Sequence, residues 1–258
     1  MTAQPDTERQ TACYVYGIVP ADVESDSGAR GIGDPPRPIS VVRHGDIAAL
    51  VSQIDVDTPL GRPEDLAAHA RILDATAVEA PVLPLRFGAV VSDERAVAEE
   101  LLAQHQDDFV AALGALEGRA EYVLKGRYEE QAILREVLAE NEDAVHLREA
   151  IRDKPADATR NERIALGELI TNVIAAKREA DIRMAVGALR ELDVTVAVRE
   201  PTHERDAVHL ACLTDVAKQP ELERAAGALA ERWKGRVEVR LLGPLAPYDF
   251  VTTQQPQG

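Results

Sequence analysis

Cysteines, aromatic residues and long apolar runs are all scarce in this chain of 258 residues. Its only two cysteines, Cys13 and Cys212, each lie in an apolar, strand-like run, so we expect two small buried side chains rather than a disulfide. Aromatic residues are 3% of the chain, which leaves few platforms on which bases or sugars could stack. No apolar run approaches the roughly 20 residues that a membrane-spanning helix needs, so no span is predicted.

Positive charge is scarce as well. The chain has 29 Lys+Arg against 45 Asp+Glu, a net charge of −16 that is spread over several helix faces. Such a chain repels polyanions, which excludes nucleic acid as an expected partner. The first residues are polar and lack the apolar segment of a secretory signal, which favours a cytoplasmic location.

Motifs that carry chemistry are missing too. The sequence Gly31-Ile32-Gly33 does not predict a phosphate loop, because the prolines that follow at Pro35-Pro36 forbid the helix that such a loop requires. His203 and His209 are six positions apart with two carboxylates between them, a spacing that matches no zinc or iron signature. We therefore predict no catalytic residue, no cofactor and no metal site. A small enzyme that uses this histidine turn, with a metal or a strongly perturbed histidine, is one alternative.

The first half of the chain alternates between β-branched runs and amphipathic segments. A hairpin is predicted around His44-Gly45, and Pro63 is typical of the first turn of a helix. The predicted order is three strands, a helix, a strand and a helix, over residues 12–19, 39–43, 46–53, 63–80, 82–91 and 92–116, with Ser92 as the cap of the last helix.

The predicted strand 82–91 is apolar on both faces, so we expect it to be covered on both sides. Arg86 is its one charge. If Arg86 is buried it must pair with a carboxylate or with carbonyls, and a structural ion pair is the favoured interpretation. Anchoring of a partner's carboxylate or C-terminus is the alternative, since bidentate arginine serves both purposes.

The second half predicts a β-α-β-β-α-β unit with a helical insert. Its elements are a strand over 119–125, the insert at about 129–158, and then a helix, two strands, a helix and a strand over 161–192, 193–199, 206–213, 219–233 and 236–242. The predicted fold class is α+β in two domains. Residues 1–118 form a sheet-and-helix α+β domain, and residues 119–258 a ferredoxin-like domain that carries the insert.

The segment from Gly243 to Phe250 holds two prolines and cannot continue a central strand. It also carries two aromatic residues, Tyr248 and Phe250. We expect it to fold back over a sheet or across the domain junction, and the alternative is an exposed strip on which another chain docks.

Four segments in order, Ala12 to Val19, Val82 to Gly88, Glu121 to Lys125 and Leu242 to Phe250, together resemble the gas vesicle protein L/F family. Asp249 departs mildly, because the family often has a small polar residue before the final phenylalanine. The resemblance implies two α+β domains related to the ferredoxin-like fold, of which the N-terminal one is a modified ferredoxin-like sheet-and-helix domain. It also implies a non-enzymatic accessory and minor structural protein, associated with the gas vesicle, whose partners are the hydrophobic major shell protein and other accessory proteins.

An acidic chain with sheet edges and no active site suits a factor that keeps such a shell protein soluble during nucleation. The alternative is a ligand-binding regulatory module of ferredoxin-like fold. For the assembly role, the predicted partner-binding residues are Leu83, Leu85, Arg86, Phe87, Pro244, Pro247, Tyr248 and Phe250.

Overall fold

A computed structural model of the chain describes residues 11–25, 28–57 and 59–251. The chain divides into two compact units, and each has an antiparallel sheet with helices, which confirms the predicted α+β class. Among the described residues, the first unit holds those up to Glu121 together with those from Gly243 onward, and the second unit is Tyr122–Leu242. The C-terminal segment that the sequence assigned to a domain 119–258 is thus grouped with the first unit.

The sheet of the first unit is built on a long buried strand, β1, whose apolar run covers Thr11–Pro20. The hairpin predicted at His44-Gly45 is confirmed, and Gly45 adopts the positive φ of 56° that the turn requires. The strand order is β2-β3-β1-β4, and β5 also pairs with β1. The remaining strands are β2 (Ser40–His44), β3 (Ile47–Asp55), β4 (Leu83–Pro84) and β5 (Val90–Val91).

The prediction of one continuous strand over 82–91 is wrong. Its two ends form the short strands β4 and β5, which pair with β1, and the flanking Leu85 N–H and Ala89 carbonyl oxygen also bond to β1. Between them the chain turns at Gly88, where φ is 95°. Arg86 lies in this turn, so it is exposed rather than covered, and it forms no ion pair with any described residue. The structural ion pair favoured for it is therefore also wrong.

Two helical segments pack in the first unit. Helix α1 spans Pro63–Glu79, with proline in its first turn as predicted. The helix predicted from Ser92 is capped one residue later by Asp93, whose Oδ1 accepts from the Ala96 N–H at 2.8 Å. It runs as α2 (Glu94–Ala96), a π-helical turn (Val97–Leu102), a 3-10 turn (Ala103–His105) and α3 (Gln106–Leu116).

Gly31 fills a packing role that its Gly-x-Gly context did not suggest. The Tyr16 hydroxyl accepts from the Ile32 N–H at 2.9 Å and hydrogen-bonds the Ser52 hydroxyl at 2.8 Å. A Cβ placed on Gly31 would lie 2.0 Å from that tyrosine oxygen and 2.8 Å from Ile39 Cδ1. The glycine therefore closes the loop over a buried, fully hydrogen-bonded tyrosine.

The sheet of the second unit has the order β7-β8-β6-β9, which is the strand order of a ferredoxin-like β-α-β-β-α-β unit. Two helices, α4 and α5, lie between β6 and α6, where the helical insert was predicted. The elements are β6 (Arg119–Tyr128), α4 (Glu130–Glu140), α5 (Glu142–Ile151), α6 (Arg160–Leu189), β7 (Val194–Val198), β8 (Asp206–Asp215), α7 (Gln219–Arg232) and β9 (Val237–Leu245).

The last strand is longer than predicted. It was expected to end at 242, yet β9 continues through Pro244 to Leu245. β9 lies at the edge of its sheet, where a proline costs no ladder hydrogen bond on the open side. The chain that returns to the first unit is therefore the end of a strand rather than a separate loop.

A cluster of charges joins the insert to the rest of the second unit. Asp181 is 4% exposed and accepts from Arg236 Nη1 at 2.9 and 3.0 Å and from the Tyr128 hydroxyl at 2.6 Å. Arg236 Nε also donates to Glu136 at 2.6 Å, and Lys177 Nζ donates to the same carboxylate at 2.6 Å. These bonds connect α4, α6 and β6 to the residue that precedes β9.

Candidate functional site

His69 is the polar centre of the first unit. It lies on the buried face of α1, is 4% exposed and has both ring nitrogens in use. Its Nε2 is 3.1 Å from the Leu85 carbonyl oxygen, and its Nδ1 is 2.8 Å from the Tyr14 hydroxyl. A carbonyl can only accept, so Nε2 carries the proton and Nδ1 accepts from Tyr14. Burial lowers the pKa of His69, which keeps the ring neutral.

Four other rings surround this histidine, and we call the five together the His69 cluster. The ring centroids lie 5.7 Å from His69 for Tyr14, 5.6 Å for Tyr16, 5.7 Å for Phe87 and 6.4 Å for Tyr248. Burial raises the pKa of the Tyr14 and Tyr248 hydroxyls, so both stay protonated at neutral pH. The 82–88 segment and the C-terminal segment, more than 150 positions apart, thus meet at one ring.

The C-terminal segment folds back on the first unit. This is one of the two arrangements predicted for it, the other being an exposed strip. Ala246 is 1% exposed, and its N–H donates to Asp74 Oδ1 at 2.9 Å. The Asp249 N–H donates to Glu121 Oε2 at 3.1 Å. Burial raises the pKa of Asp74, although its bond to the Ala246 N–H opposes that shift. Two carboxylates therefore fix the segment on either side of Tyr248.

The predicted partner-binding residues fall into two groups. The buried members sit in the core and present no side chain to a partner; they are Leu83, Leu85 and Pro247. Pro244, Phe87 and Phe250 are half-buried, Tyr248 is 38% exposed and Arg86 is exposed. We call Arg86, Phe87 and Tyr248 the Arg86 surface, because the two rings pack against His69 and Arg86 precedes Phe87 directly.

This surface offers binding groups rather than reactive ones. A guanidinium without an ion pair among the described residues can bind a carboxylate, and the two adjoining rings can cover apolar side chains. None of the helices among the described residues combines the length and hydropathy needed to cross a bilayer. Within the same residues no group of three or more His, Cys, Asp or Glu side chains is arranged to hold a metal ion.

The histidine turn of the second unit is occupied by local hydrogen bonds. His203 Nδ1 accepts from the Arg205 N–H at 3.1 Å, and His209 Nδ1 is 3.2 Å from the Glu200 carbonyl oxygen. Asp206, between them, accepts from the backbone N–H groups of Thr202 and His203. These side chains shape the connection between β7 and β8.

Two residues of the site escaped sequence reasoning. His69 could have been found, because it shares the buried stripe of α1 with Ala68, Ile72 and Leu73 at helical spacing. Asp74 gave no such signal, since its role depends on a backbone N–H that lies 172 positions away.

Comparison with known proteins places the chain among gas vesicle proteins. The family described as gas vesicle synthesis protein GvpL/GvpF matches residues 12–252. The chain is similar to gas vesicle protein F of Streptomyces sp. (strain CB03234), at 32% identity over 92% of this chain and 98% of that protein. It is also similar to gas vesicle protein L of the same strain, at 30% identity over 92% and 91%.

The fold is similar to the folds of two solved gas vesicle proteins. The crystal structure of GvpF from Anabaena sp. PCC7120 superposes with a TM-score of 0.73, covering 92% of this chain and 97% of that one at 22% identity. The crystal structure of GvpF from Microcystis aeruginosa gives a TM-score of 0.72 over 93% and 98%.

Proposed function

Because this chain belongs to the gas vesicle synthesis protein GvpL/GvpF family, we propose that it binds the hydrophobic major shell protein of the gas vesicle and keeps it soluble during nucleation. Family membership supports the broader role in gas vesicle assembly. The family is one of structural and accessory proteins and is not a known family of enzymes, so the proposed role is non-enzymatic.

The observation that carries the proposal is the Arg86 surface. Phe87 and Tyr248 come from distant parts of the chain, and each packs on one side against the buried His69 ring while part of it stays exposed. Rings that are held in this way lose little conformational freedom when a partner binds. Arg86 beside them supplies a charge that can pair with a carboxylate of the partner. Aromatic and arginine side chains are the types that most often dominate binding energy at interfaces.

The charge of the chain supports the second half of the proposal. A net charge of −16 opposes self-association, so a complex with an aggregation-prone apolar subunit stays dispersed. The proposed location follows from that role, namely the cytoplasm in association with the vesicle. The proposed partners are the major shell protein and other gas vesicle accessory proteins.

Co-expression with the major shell protein tests the proposal. We expect the soluble fraction of the shell protein to rise and the two chains to co-purify, and we expect Arg86→Ala and Tyr248→Ala each to weaken that capture about tenfold. Arg71→Ala is the matched control, since Arg71 is an exposed arginine on α1 that has no ion pair among the described residues. Equal capture by all variants would remove the Arg86 surface from the proposal, and no capture by the parent chain would end the client-binding role.

The alternative, a ligand-binding regulatory module, depends on a cavity of about 320 Å³ in the second unit. Most of its polar lining groups are already bonded. Arg178 donates to the carbonyl oxygens of Asp206 and Glu204 at 2.6 Å, and Arg205 lies 3.5 Å from Glu130. A ligand would find few free polar partners there, so this function takes second place. A rise in the melting temperature with a small molecule, lost on Ile174→Trp, would reverse that order.

A further inference from the structure

A second binding surface lies in the first unit, in a cleft between α1, α3 and the β2–β3 hairpin. The cleft has a volume of about 840 Å³. Its base is closed by five buried side chains, those of Ile39, Ile47, Leu50, Ile72 and Leu113, where α1 and α3 turn their aliphatic stripes toward the sheet. The apolar surface that stays accessible, which we call the floor, belongs to Val110 on α3, which is 41% exposed, and to the exposed or half-buried Pro20, Val23, Ala75, Ala80 and Pro81.

The charged residues that line this cleft, among those that the structure describes, are all acidic. None of the five carboxylates forms an ion pair with a described residue. Arg43, on β2, is outside the lining and is used to donate to the carbonyl oxygens of Ala21 and Val23. The acidic rim consists of Asp22, Glu24, Asp46, Glu79 and Glu117, and the described lining residues include no Lys, Arg or His.

The geometry favours an occupant that is recognised through side chains. Strand β3 lies at the base of the cleft and is paired on both edges, with β2 and with β1. Its backbone N–H and C=O groups are therefore not available to pair with an added strand. An apolar cleft bordered by two helices is the surface into which the apolar face of an amphipathic helix fits. An occupant with basic flanks would also compensate the five rim carboxylates, which have no ion pair within the described part of the chain.

We propose that this cleft binds an amphipathic helix of a partner protein, with an aliphatic face against the floor and lysine or arginine residues against the acidic rim. The overall charge of −16 attracts such a segment from a distance and raises its association rate at low salt. A second copy of this chain is a poor occupant, since it would bring two acidic rims together. The inference concerns a different surface from the Arg86 surface and does not require that the partner be the shell protein.

A synthetic peptide tests this directly on the full chain. The probe is a fluorescein-labelled helix of about four turns, with leucine at positions i, i+3, i+4 and i+7 and lysine on both flanks. We expect saturable binding by fluorescence anisotropy that weakens as salt is raised. A scrambled peptide of the same composition and a peptide with glutamate in place of lysine should bind at least tenfold more weakly. Equal binding of either control peptide would overturn the proposal.

Two pairs of protein variants locate the peptide. Neutralising the rim with Asp46→Asn, Glu79→Gln and Glu117→Gln should weaken binding about tenfold. The triple variant Glu100→Gln, Asp107→Asn and Asp108→Asn has the same net charge, removes exposed carboxylates outside the cleft and should change binding less than twofold. Equal effects of the two triple variants would show charge attraction without a site and would overturn the proposal.

The floor is tested by Val110→Ser, which should weaken binding several-fold, whereas Val78→Ser should not. Val78 is 61% exposed on α1 and does not line the cleft. Circular dichroism confirms that both variants fold. If the parent chain forms a dimer that Val110→Ser dissociates, as measured by analytical ultracentrifugation, the occupant is a second copy and the partner-helix proposal fails.

Discussion

The Tyr14 hydroxyl donates to His69 Nδ1 across 2.8 Å, although the two residues are 55 positions apart. The same hydroxyl accepts from the Gly88 N–H at 3.2 Å. Tyr14 thereby links β1 and α1 to the turn that presents Arg86 and Phe87. The shape of the Arg86 surface thus depends on a buried histidine that stays neutral.

That dependence predicts loss of stability in mild acid. Burial lowers the pKa of His69 below its ordinary value of about 6.5, so below that pH the unfolded chain binds a proton that the folded chain does not. The contribution of His69 is complete above about pH 6.5 and is lost as the pH falls toward the folded-state pKa. We expect the free energy of unfolding by urea to drop between pH 7.5 and 5.5.

The His69→Gln variant separates this effect from other titrating groups. Glutamine can still bond to the Leu85 carbonyl oxygen but does not titrate, so its stability should vary less over the same pH interval. Identical pH profiles for the variant and the parent chain would show that His69 is not the responsible group.

Gly31→Ala should be strongly destabilising. The added methyl group would lie 2.0 Å from the Tyr16 oxygen, which is fully buried and bonded, so the loop or the tyrosine must move. We expect a loss of about 2–3 kcal/mol in the free energy of unfolding. Gly114→Ala in α3 is the control, because no neighbour lies within 4 Å and alanine favours a helix; it should gain up to about 1 kcal/mol. If Gly31→Ala lowers the free energy of unfolding by no more than an ordinary surface substitution does, the close contact between Gly31 and Tyr16 is contradicted.

Arg236→Ala should destabilise the second unit by about 3 kcal/mol, because it leaves the buried Asp181 carboxylate without its cation. Arg240→Ala, four residues along the chain, removes an exposed pair with Glu238 and should cost less than about 1 kcal/mol. Urea unfolding followed by the fluorescence of Trp233 reports on this unit. Similar losses for both variants would mean that the cluster around Asp181 contributes no more than a surface ion pair.

Asp74→Ala should release the C-terminal segment. The Ala246 N–H would lose its acceptor, and residues 246–250 should exchange amide hydrogens faster and become accessible to protease. Asp74→Asn keeps an acceptor oxygen and should restore most of the protection. If the Arg86 surface binds the shell protein, capture should fall with alanine and recover with asparagine. Unchanged exchange in the alanine variant would show that other contacts hold the segment.

The fold was largely predictable from periodicity. The strand at Thr11–Pro20, the hairpin at His44-Gly45 and the strand order of the second unit follow from alternating or continuous apolar runs and from turn residues. The error over 82–91 has a physical cause. Leu83 and Leu85 are apolar because they fill the core, yet Gly88 turns the chain and leaves Arg86 in solvent. An apolar run that is interrupted by a positive-φ glycine resembles a covered strand in sequence.

The candidate site was less predictable. The segments that form it were identified, because their proline and aromatic content is unusual, but their meeting point was not. That point is set by His69 and Asp74, whose partners are a tyrosine and a carbonyl oxygen in one case and a backbone N–H in the other. Such long-range hydrogen bonds leave no periodic trace in the sequence.

The chain returns to the first unit at Gly243, and this sets the order in which the two units can be completed during translation. A ribosome releases all of Tyr122–Leu242 before the residue that bonds to Asp74 emerges. The second unit can therefore complete its sheet while the first still lacks its last segment and Tyr248, which stands against His69. During translation, the Arg86 surface is completed only after the whole second unit has emerged, so a nascent chain cannot engage a partner through the complete surface before that point.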